Sequence, residues 1–93
     1  MHITHISYFL PEKTLTNDDL AIEYKSNWNS KKIYKKTGIK SRHIATTETT
    51  SQLAVQAAEK LFSESGFPKD KIDFLLLCTQ SPDYFLPTTA CIV

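Results

Sequence analysis

The chain has 93 residues, 41% hydrophobic and 23% charged, a composition typical of one small globular domain and not of a disordered segment. The net charge of +1 gives no overall attraction to nucleic acid or to an anionic membrane, so electrostatic recognition would need a local cluster. No apolar run approaches the length of a membrane span, and the first residues lack a signal-peptide pattern, which together predict a cytoplasmic protein.

Sulfur and imidazole side chains are few. Cys78 and Cys91 are too few for a disulfide framework, and both have apolar neighbours, so we expect two buried, unreactive thiols. His2 and His5 do not make a metal site without a further ligand. The sequence therefore predicts neither a metal nor a resident cofactor.

The first element has the imperfect alternation of a strand. Ile3, Ile6, Tyr8 and Leu10 are separated mostly by polar residues, and Pro11 closes the run. We expect an extended segment over these positions.

Two helices follow. Thr16 with Asp19 three residues later forms a capping-box pattern, which predicts a helix from about Asn17 to Tyr24. A second helix start lies within Asn27–Ser30, and Gly38 is placed to end that helix in the left-handed conformation. Residues 39–45 then read as a connector that could include a short extended piece.

The third helix has the plainest pattern. Thr49 and Gln52 have the spacing of a capping box, and Gly66 marks the end of the helix. One apolar stripe recurs at helical spacing: Ala54, Ala57, Ala58, Leu61 and Phe62. After a loop, the segment Ile72–Cys78 is almost wholly apolar, which predicts a strand covered on both faces. This order of elements indicates the start of a layered α/β fold.

Three stretches identify a family. In order they are SYFLPEKTLTNDDLA, KKTGIKSRHIA and IDFLLLCTQSPDYFLPTTACIV, which begin at Ser7, Lys35 and Ile72. Together they closely resemble the amino-terminal part of the β-ketoacyl-acyl carrier protein synthase III family. The resemblance covers nearly all of residues 1–93 and implies a thiolase-like α/β/α fold of which only the early elements of the first half are present, roughly the first third of a complete chain.

The resemblance also implies a chemistry. Members of this family condense an acyl-CoA primer with malonyl-acyl carrier protein, by way of a cysteine thioester and decarboxylation, at the start of fatty-acid biosynthesis. Splitting carbon–carbon bond formation into acyl transfer and condensation is covalent catalysis. The nucleophilic cysteine, the histidine and the asparagine of the family all lie beyond Val93, and neither Cys91 nor His43 corresponds to any of them. We therefore expect no catalytic residue here and no activity from the 93 residues alone.

A basic cluster is the first candidate binding site. Seven of the eleven basic residues lie between Lys25 and Arg42, without an intervening acid. The bland interpretation is a solvated helix face, and the functional one is a surface for an anionic ligand. In the family this helix lines the mouth of the CoA tunnel, which implicates Trp28, Lys32, Lys36 and Thr37 here. Lys32 and Lys36 stand where the family has an adenine-stacking tryptophan and an arginine, and lysine cannot supply a planar stack. The donor is then either CoA held differently or an acyl carrier protein.

The segment before Pro87 is the second candidate site. The resemblance implies that Leu86 reaches into the acyl pocket of a partner subunit in a homodimer, and that Gln80 and Ser81 lie near the floor of the active site. Ordinary packing is an equal alternative for Leu86. Arg42 reads first as a buried or half-buried partner in an ion pair, and Thr37 either contacts ligand or caps its helix.

Other functions stay open at this point. One is a related condensing enzyme of polyketide, alkylquinolone or hydroxymethylglutaryl-CoA type, which residues outside this chain would distinguish. Another is a non-enzymatic basic module that binds nucleic acid or an acidic protein through Lys31–Lys36. The modest net charge and the scarcity of aromatic residues within the cluster argue against nucleic acid.

Overall fold

The computed structural model describes residues 1–24 and 27–93 and divides the chain into two compact units. One, here called the α2 unit, is Pro11–Thr46; the other, the α3 unit, combines Met1–Leu10 with Thr47–Val93. Each unit contains one of the two candidate sites, so the sites can be described separately. No helix in the described ranges is long and apolar enough to cross a bilayer.

The α2 unit contains two short strands and two helices. The elements in chain order are β1 (Thr14–Thr16), α1 (Asn17–Glu23), α2 (Ser30–Thr37) and β2 (Ser41–His43). The strands pair antiparallel, with Leu15 opposite Arg42. The second start within Asn27–Ser30 is confirmed, with Asn29 as the cap and Ser30 as the first helical residue.

The predicted caps of α1 and α2 are confirmed. The Thr16 hydroxyl accepts from the Asp19 amide, and the Asp19 carboxylate accepts from the Thr16 amide, both at 3.2 Å. Gly38 ends α2 with φ of 71°, a conformation in which a side chain would be strained. The paired strand β1 directly before α1 was not predicted, because it consists of only three residues.

The α3 unit is built around one long helix. This helix, α3, runs Thr50–Ser65, with the predicted capping box between Thr49 and Gln52 and with Gly66 in the left-handed conformation at its end. A single turn of 3-10 helix spans Lys69–Lys71, and a short helix, α4, spans Thr89–Ile92. Neither of these two was predicted.

Two predicted strands are not formed. Residues 1–10 and 72–78 belong to no β-ladder, and most of their apolar side chains are exposed, as with Ile6 at 79% and Leu76 at 83%. A strand needs a neighbour that pairs with its backbone, and the described residues supply none for these two segments. The expectation that Ile72–Cys78 is covered on both faces is therefore wrong for this chain.

Ile33 and Asn17 are both well protected from solvent in the α2 unit. Ile33 is 5% exposed, and it is the buried residue of α2. Asn17, the first residue of α1, is 3% exposed and is held by hydrogen bonds instead of apolar contact alone.

Candidate functional site

The first candidate site is an apolar cavity beside α2. It has a volume of about 280 Å³ and is lined by Leu20, Ala21, Tyr24, Trp28, Ile33 and Thr37. The helix positions Ile33 and Thr37 four residues apart on one face, and the segment before α2 brings Trp28 to the same cavity. Two of the predicted site residues, Trp28 and Thr37, thus line the same cavity.

A lysine lies over the indole at this cavity. The ammonium nitrogen of Lys32 is 5.1 Å from the centroid of the Trp28 ring, within the range of a cation–π interaction. Trp28 is 40% exposed, so the contact is at the edge of the cavity and not in its interior. The structure therefore brings Lys32 together with Trp28, whereas Lys36 is exposed in the last turn of α2 and does not line the cavity.

Thr37 caps the carboxyl end of α2. Its hydroxyl donates to the Ile33 carbonyl at 2.8 Å and accepts from the Ile39 amide at 3.1 Å. Of the two roles open for Thr37, capping is therefore shown. Its place in the cavity lining still leaves it within reach of a ligand.

The turn after α2 is held by Asn17. The Asn17 side-chain amide donates to the Ile39 carbonyl at 2.7 Å, its carbonyl accepts from Arg42 Nη2 at 2.7 Å, and its backbone amide donates to the Lys40 carbonyl at 3.3 Å. One buried side chain thereby joins the start of α1 to the turn and to β2. This hub fixes the position of the basic helix α2 relative to α1.

Arg42 differs from expectation in its partner. It is half-buried, as expected, but its recorded partner is the amide of Asn17, and no carboxylate forms an ion pair with it among the described residues. The reason is the register of β1 and β2, which places Arg42 opposite Leu15 and next to the start of α1. His43 also has a structural contact, because its Nδ1 donates to the Pro11 carbonyl at 2.7 Å.

The second candidate site is the loop before Pro87. Gln80 and the run Pro82–Leu86 surround a shallow, open cavity of about 590 Å³. Leu86 is 83% exposed, which leaves it free to contact another molecule. Ser81 does not line this cavity; its carbonyl accepts a hydrogen bond from the Thr50 hydroxyl at 2.5 Å and so ties the loop to α3.

Asp83 anchors the same loop. Its carboxylate accepts from the Ser51 amide at 3.1 Å and also from the Ser51 hydroxyl. The hydrogen bond from the Ser51 side chain holds the pKa of Asp83 below its usual value, against a smaller opposing effect of burial. Asp83 also lies at the amino end of a long helix, where the helix dipole favours its negative charge.

Both cysteines differ from expectation. Cys78 and Cys91 are exposed, not buried. Cys78 lies in the uncovered segment 72–78, and Cys91 lies in the short α4, where the Thr88 hydroxyl is 3.2 Å from its sulfur. Apolar neighbours in the sequence did not ensure burial, because burial depends on a second layer that covers those neighbours.

Two residues with clear structural roles were not singled out as site residues. The sequence indicates Asn17 only as the start of α1, and Asp83 only as part of the stretch that begins at Ile72. The signal for Asp83 was an acid directly after Ser-Pro, in a loop that follows an apolar run. No sequence pattern pointed to the contact between Asn17 and Arg42, because 25 positions separate them.

No protein-family model matches this chain. Individual proteins do. The chain is 41% identical over 90 residues to the β-ketoacyl-[acyl-carrier-protein] synthase III of Lactococcus lactis subsp. lactis, a match that covers 95% of this chain and 26% of the relative. It is 44% identical over 93 residues to the protein of the same name from Streptococcus suis, covering 98% of this chain and 27% of the relative.

Solved structures agree with these relatives. A crystal structure of a 3-oxoacyl-(acyl-carrier-protein) synthase III matches 96% of this chain and 26% of its own, with 49% identity and a TM-score of 0.77. The corresponding structure from Aquifex aeolicus matches 95% of this chain and 28% of its own, with 35% identity and a TM-score of 0.82. The expected thiolase-like α/β fold class is thereby confirmed for this segment.

The similarity extends over only part of each relative. The chain spans about a quarter of the length of these relatives, somewhat less than the third implied by the sequence motifs. Within that quarter the similarity is nearly continuous, in sequence and in backbone. By both measures this segment is similar to β-ketoacyl-[acyl-carrier-protein] synthase III proteins, which confirms the resemblance predicted from its motifs.

Proposed function

We propose that this chain is part of a 3-oxoacyl-[acyl-carrier-protein] synthase III, which joins an acyl primer to malonyl-acyl carrier protein by decarboxylative condensation and so starts a fatty-acid chain. The observation that carries the proposal is 44% identity over 98% of the chain to a relative of that name. A cytoplasmic location and a homodimer remain predictions that accompany this function.

The α2 unit is proposed to receive the phosphate-bearing part of the primer. The cavity offers the partly exposed indole of Trp28 with Lys32 over it, and α2 carries Lys36 as a further positive charge in its last turn. Lys32 already lies over the indole, 5.1 Å from its centre, so a planar base could stack on that face only by displacing the ammonium group. This arrangement favours recognition of phosphate by charge over recognition of adenine by stacking. Both acyl-CoA and an acyl carrier protein provide such a phosphate.

The loop Gln80–Pro87 is proposed to meet the acyl chain. Leu86 is exposed and apolar, which suits contact with a hydrocarbon chain or with a partner subunit. Gln80 lies in the same cavity, and Ser81 holds the loop to α3. The condensing chemistry itself needs a cysteine thiolate that takes the acyl group from its thioester, and the family resemblance assigns that cysteine to no residue of this chain.

The proposal is tested by segment replacement. The matching segment of the Lactococcus lactis enzyme is replaced by this chain, and formation of 3-oxoacyl-carrier protein from acetyl-CoA and malonyl-carrier protein is measured. We expect condensing activity in the hybrid, because 41% identity over 90 residues preserves the backbone that the rest of the enzyme packs against. We expect none from the 93 residues alone.

The matched control is the same hybrid with the nucleophilic cysteine of the Lactococcus part changed to alanine. A hybrid that folds into the parent's oligomer but has no more activity than this control would contradict the proposal. Acyl transfer from acyl-CoA to the isolated 93-residue chain would contradict the assignment of the nucleophile to another part of the enzyme.

A further inference from the structure

The loop before Pro87 is held by hydrogen bonds at Asp83, and the three residues that follow, Tyr84–Leu86, here called its tip, are exposed. Asp83 supplies the ties: its carboxylate accepts two hydrogen bonds from Ser51, and its amide donates to the Thr89 hydroxyl at 3.3 Å. Both partners are firmly placed, since Ser51 is 7% exposed and Thr89 is 3% exposed. Asp83 thus joins the first turn of α3 to the start of α4.

The tip that follows is apolar and uncovered. Tyr84, Phe85 and Leu86 are 65%, 98% and 83% exposed. They line the open cavity together with Gln80 and Pro82. Because most of the surface of these three side chains is exposed, little packing fixes their direction, and the polar contacts of Asp83 hold the backbone that carries them.

The carboxylate completes the amino end of α3. The capping box already pairs the Thr49 hydroxyl with the Gln52 amide and the Gln52 side chain with the Thr49 amide. It leaves the Ser51 amide without a partner inside the helix. Asp83 provides that partner from a residue 32 positions away, and the helix dipole favours its negative charge.

We propose that Asp83 is a positioning residue: by binding Ser51 and Thr89 it sets the direction of the exposed tip Tyr84–Leu86, and thereby decides which acyl primers the enzyme accepts. The part of this proposal that concerns primers rests on the proposed function. The part that concerns the loop does not, and the two are tested separately.

The loop is tested in the 93-residue chain by proteolysis. Chymotrypsin cleaves after Tyr84 and Phe85 only if the surrounding backbone opens, and cleavage after Tyr34 in the other unit serves as the internal reference. Asp83→Asn is expected to increase cleavage in the tip several-fold relative to cleavage after Tyr34. Ser51→Ala removes the hydroxyl donor and keeps the amide donor, so it is expected to act in the same direction, and the double variant to add little to Asp83→Asn.

The matched control is Asp70→Asn. Asp70 is an exposed carboxylate in the 3-10 turn of the same unit, with no recorded hydrogen bond or ion pair in the described part of the chain. It is expected to leave the cleavage ratio unchanged. An Asp83→Asn variant with the same ratio as the unchanged chain would overturn the anchoring role.

Primer choice is tested in the segment-replaced enzyme. The ratio of kcat/KM for a two-carbon primer to that for a longer primer is expected to shift several-fold in Asp83→Asn and not in Asp70→Asn, whereas a merely structural defect would lower both values equally. An unchanged ratio would overturn the selectivity role while the proposed function stands. A hybrid inactive toward every primer would overturn the proposed function and, with it, the selectivity role, whereas the proteolysis result still decides the anchoring.

Discussion

The α2 unit closes on itself, and the α3 unit does not. In Pro11–Thr46 the two strands find each other, Ile33 is 5% exposed, and Asn17 makes three hydrogen bonds at the centre. In the α3 unit the long helix is equally well capped, yet the segments 1–10 and 72–78 lie unpaired with most of their apolar side chains exposed. Good helix signals are thus present in both units, and only one of them has a completed layer.

The difference teaches where completion comes from. A helix satisfies its backbone within itself, so α1, α2 and α3 need only their own caps. A strand satisfies its backbone through a neighbour, and that neighbour is within the same short unit for β1 and β2 but not for the segment 72–78. We therefore expect the largest difference between the two units in their tendency to associate with other molecules.

The first prediction concerns self-association, the largest expected effect. We expect the 93-residue chain to form dimers or larger species through the exposed apolar residues of the α3 unit, because unpaired extended backbone with apolar side chains pairs readily. Phe74 and Leu76, 79% and 83% exposed, lie two positions apart and so on one side of an extended segment. Changing both to lysine should shift the chain towards monomer in sedimentation velocity.

The control for this effect is Ile22→Lys. Ile22 is 76% exposed but lies on α1, in the unit with the completed strand pair. It is expected to leave the association unchanged. A stable monomer for the unchanged chain, or an equal response to Ile22→Lys, would contradict the contrast between the two units.

The second prediction compares apolar truncations in the two units. Ile33→Ala is expected to lower the free energy of unfolding of the α2 unit by about 3 kcal/mol, because it removes a buried side chain and leaves a void. Phe74→Ala, in the α3 unit, is expected to change stability by less than about 0.5 kcal/mol, because little of that side chain is buried in the chain alone. Urea unfolding followed by the fluorescence of Trp28, the only tryptophan, measures the first. Circular dichroism at the helix band follows the second, and equal losses for both variants would refute the comparison.

The third and smallest effect is the pH dependence of a helix cap. The side-chain hydrogen bond with Thr16, followed by that with its backbone, holds the pKa of Asp19 below its ordinary value of 3.8. Because the folded pKa is lower than the unfolded one, the contribution to stability is fully present above about pH 4 and is lost as the pH falls through the folded pKa. The corresponding residue of the α3 cap is Gln52, which does not titrate.

Nuclear magnetic resonance titration distinguishes the two caps. The amide shift of Thr16 should follow the Asp19 carboxylate with a midpoint below 3.8. The Asp19→Asn variant should flatten that curve and leave the titration of the Ser51 amide, which reports Asp83, unchanged. A Thr16 curve with a midpoint at or above 3.8 would contradict the lowered pKa.

Sequence reasoning succeeded where the physics is local. The caps at Thr16 and Thr49 and the terminal glycines Gly38 and Gly66 were predicted and are confirmed. Each depends on residues within four positions of one another, so a single sequence contains the whole signal. The apolar stripe of α3 is likewise a local pattern, because its residues recur at helical spacing within one helix.

The candidate sites were predicted only in part. Trp28 and Thr37 meet at one cavity, and Lys32 lies over the indole, whereas Lys36 stands apart from them. The roles of these residues, and those of Gln80, Ser81 and Leu86 toward substrate, stay predictions until the segment-replaced enzyme is measured. The anchor at Asp83 was missed because its partner Ser51 lies 32 positions away.

The sequence by itself determined the helices α1, α2 and α3, their capped ends, and the similarity of the segment to β-ketoacyl-[acyl-carrier-protein] synthase III. Only the tertiary structure decided that Asn17 is a hub, that Arg42 binds an amide instead of an acid, and that Cys78 and Cys91 are exposed. The physical reason is the same in each case. Hydrogen-bond partners and burial depend on which residues, distant in the sequence, lie beside a side chain in the fold. Neither periodicity nor composition indicates which residues those are.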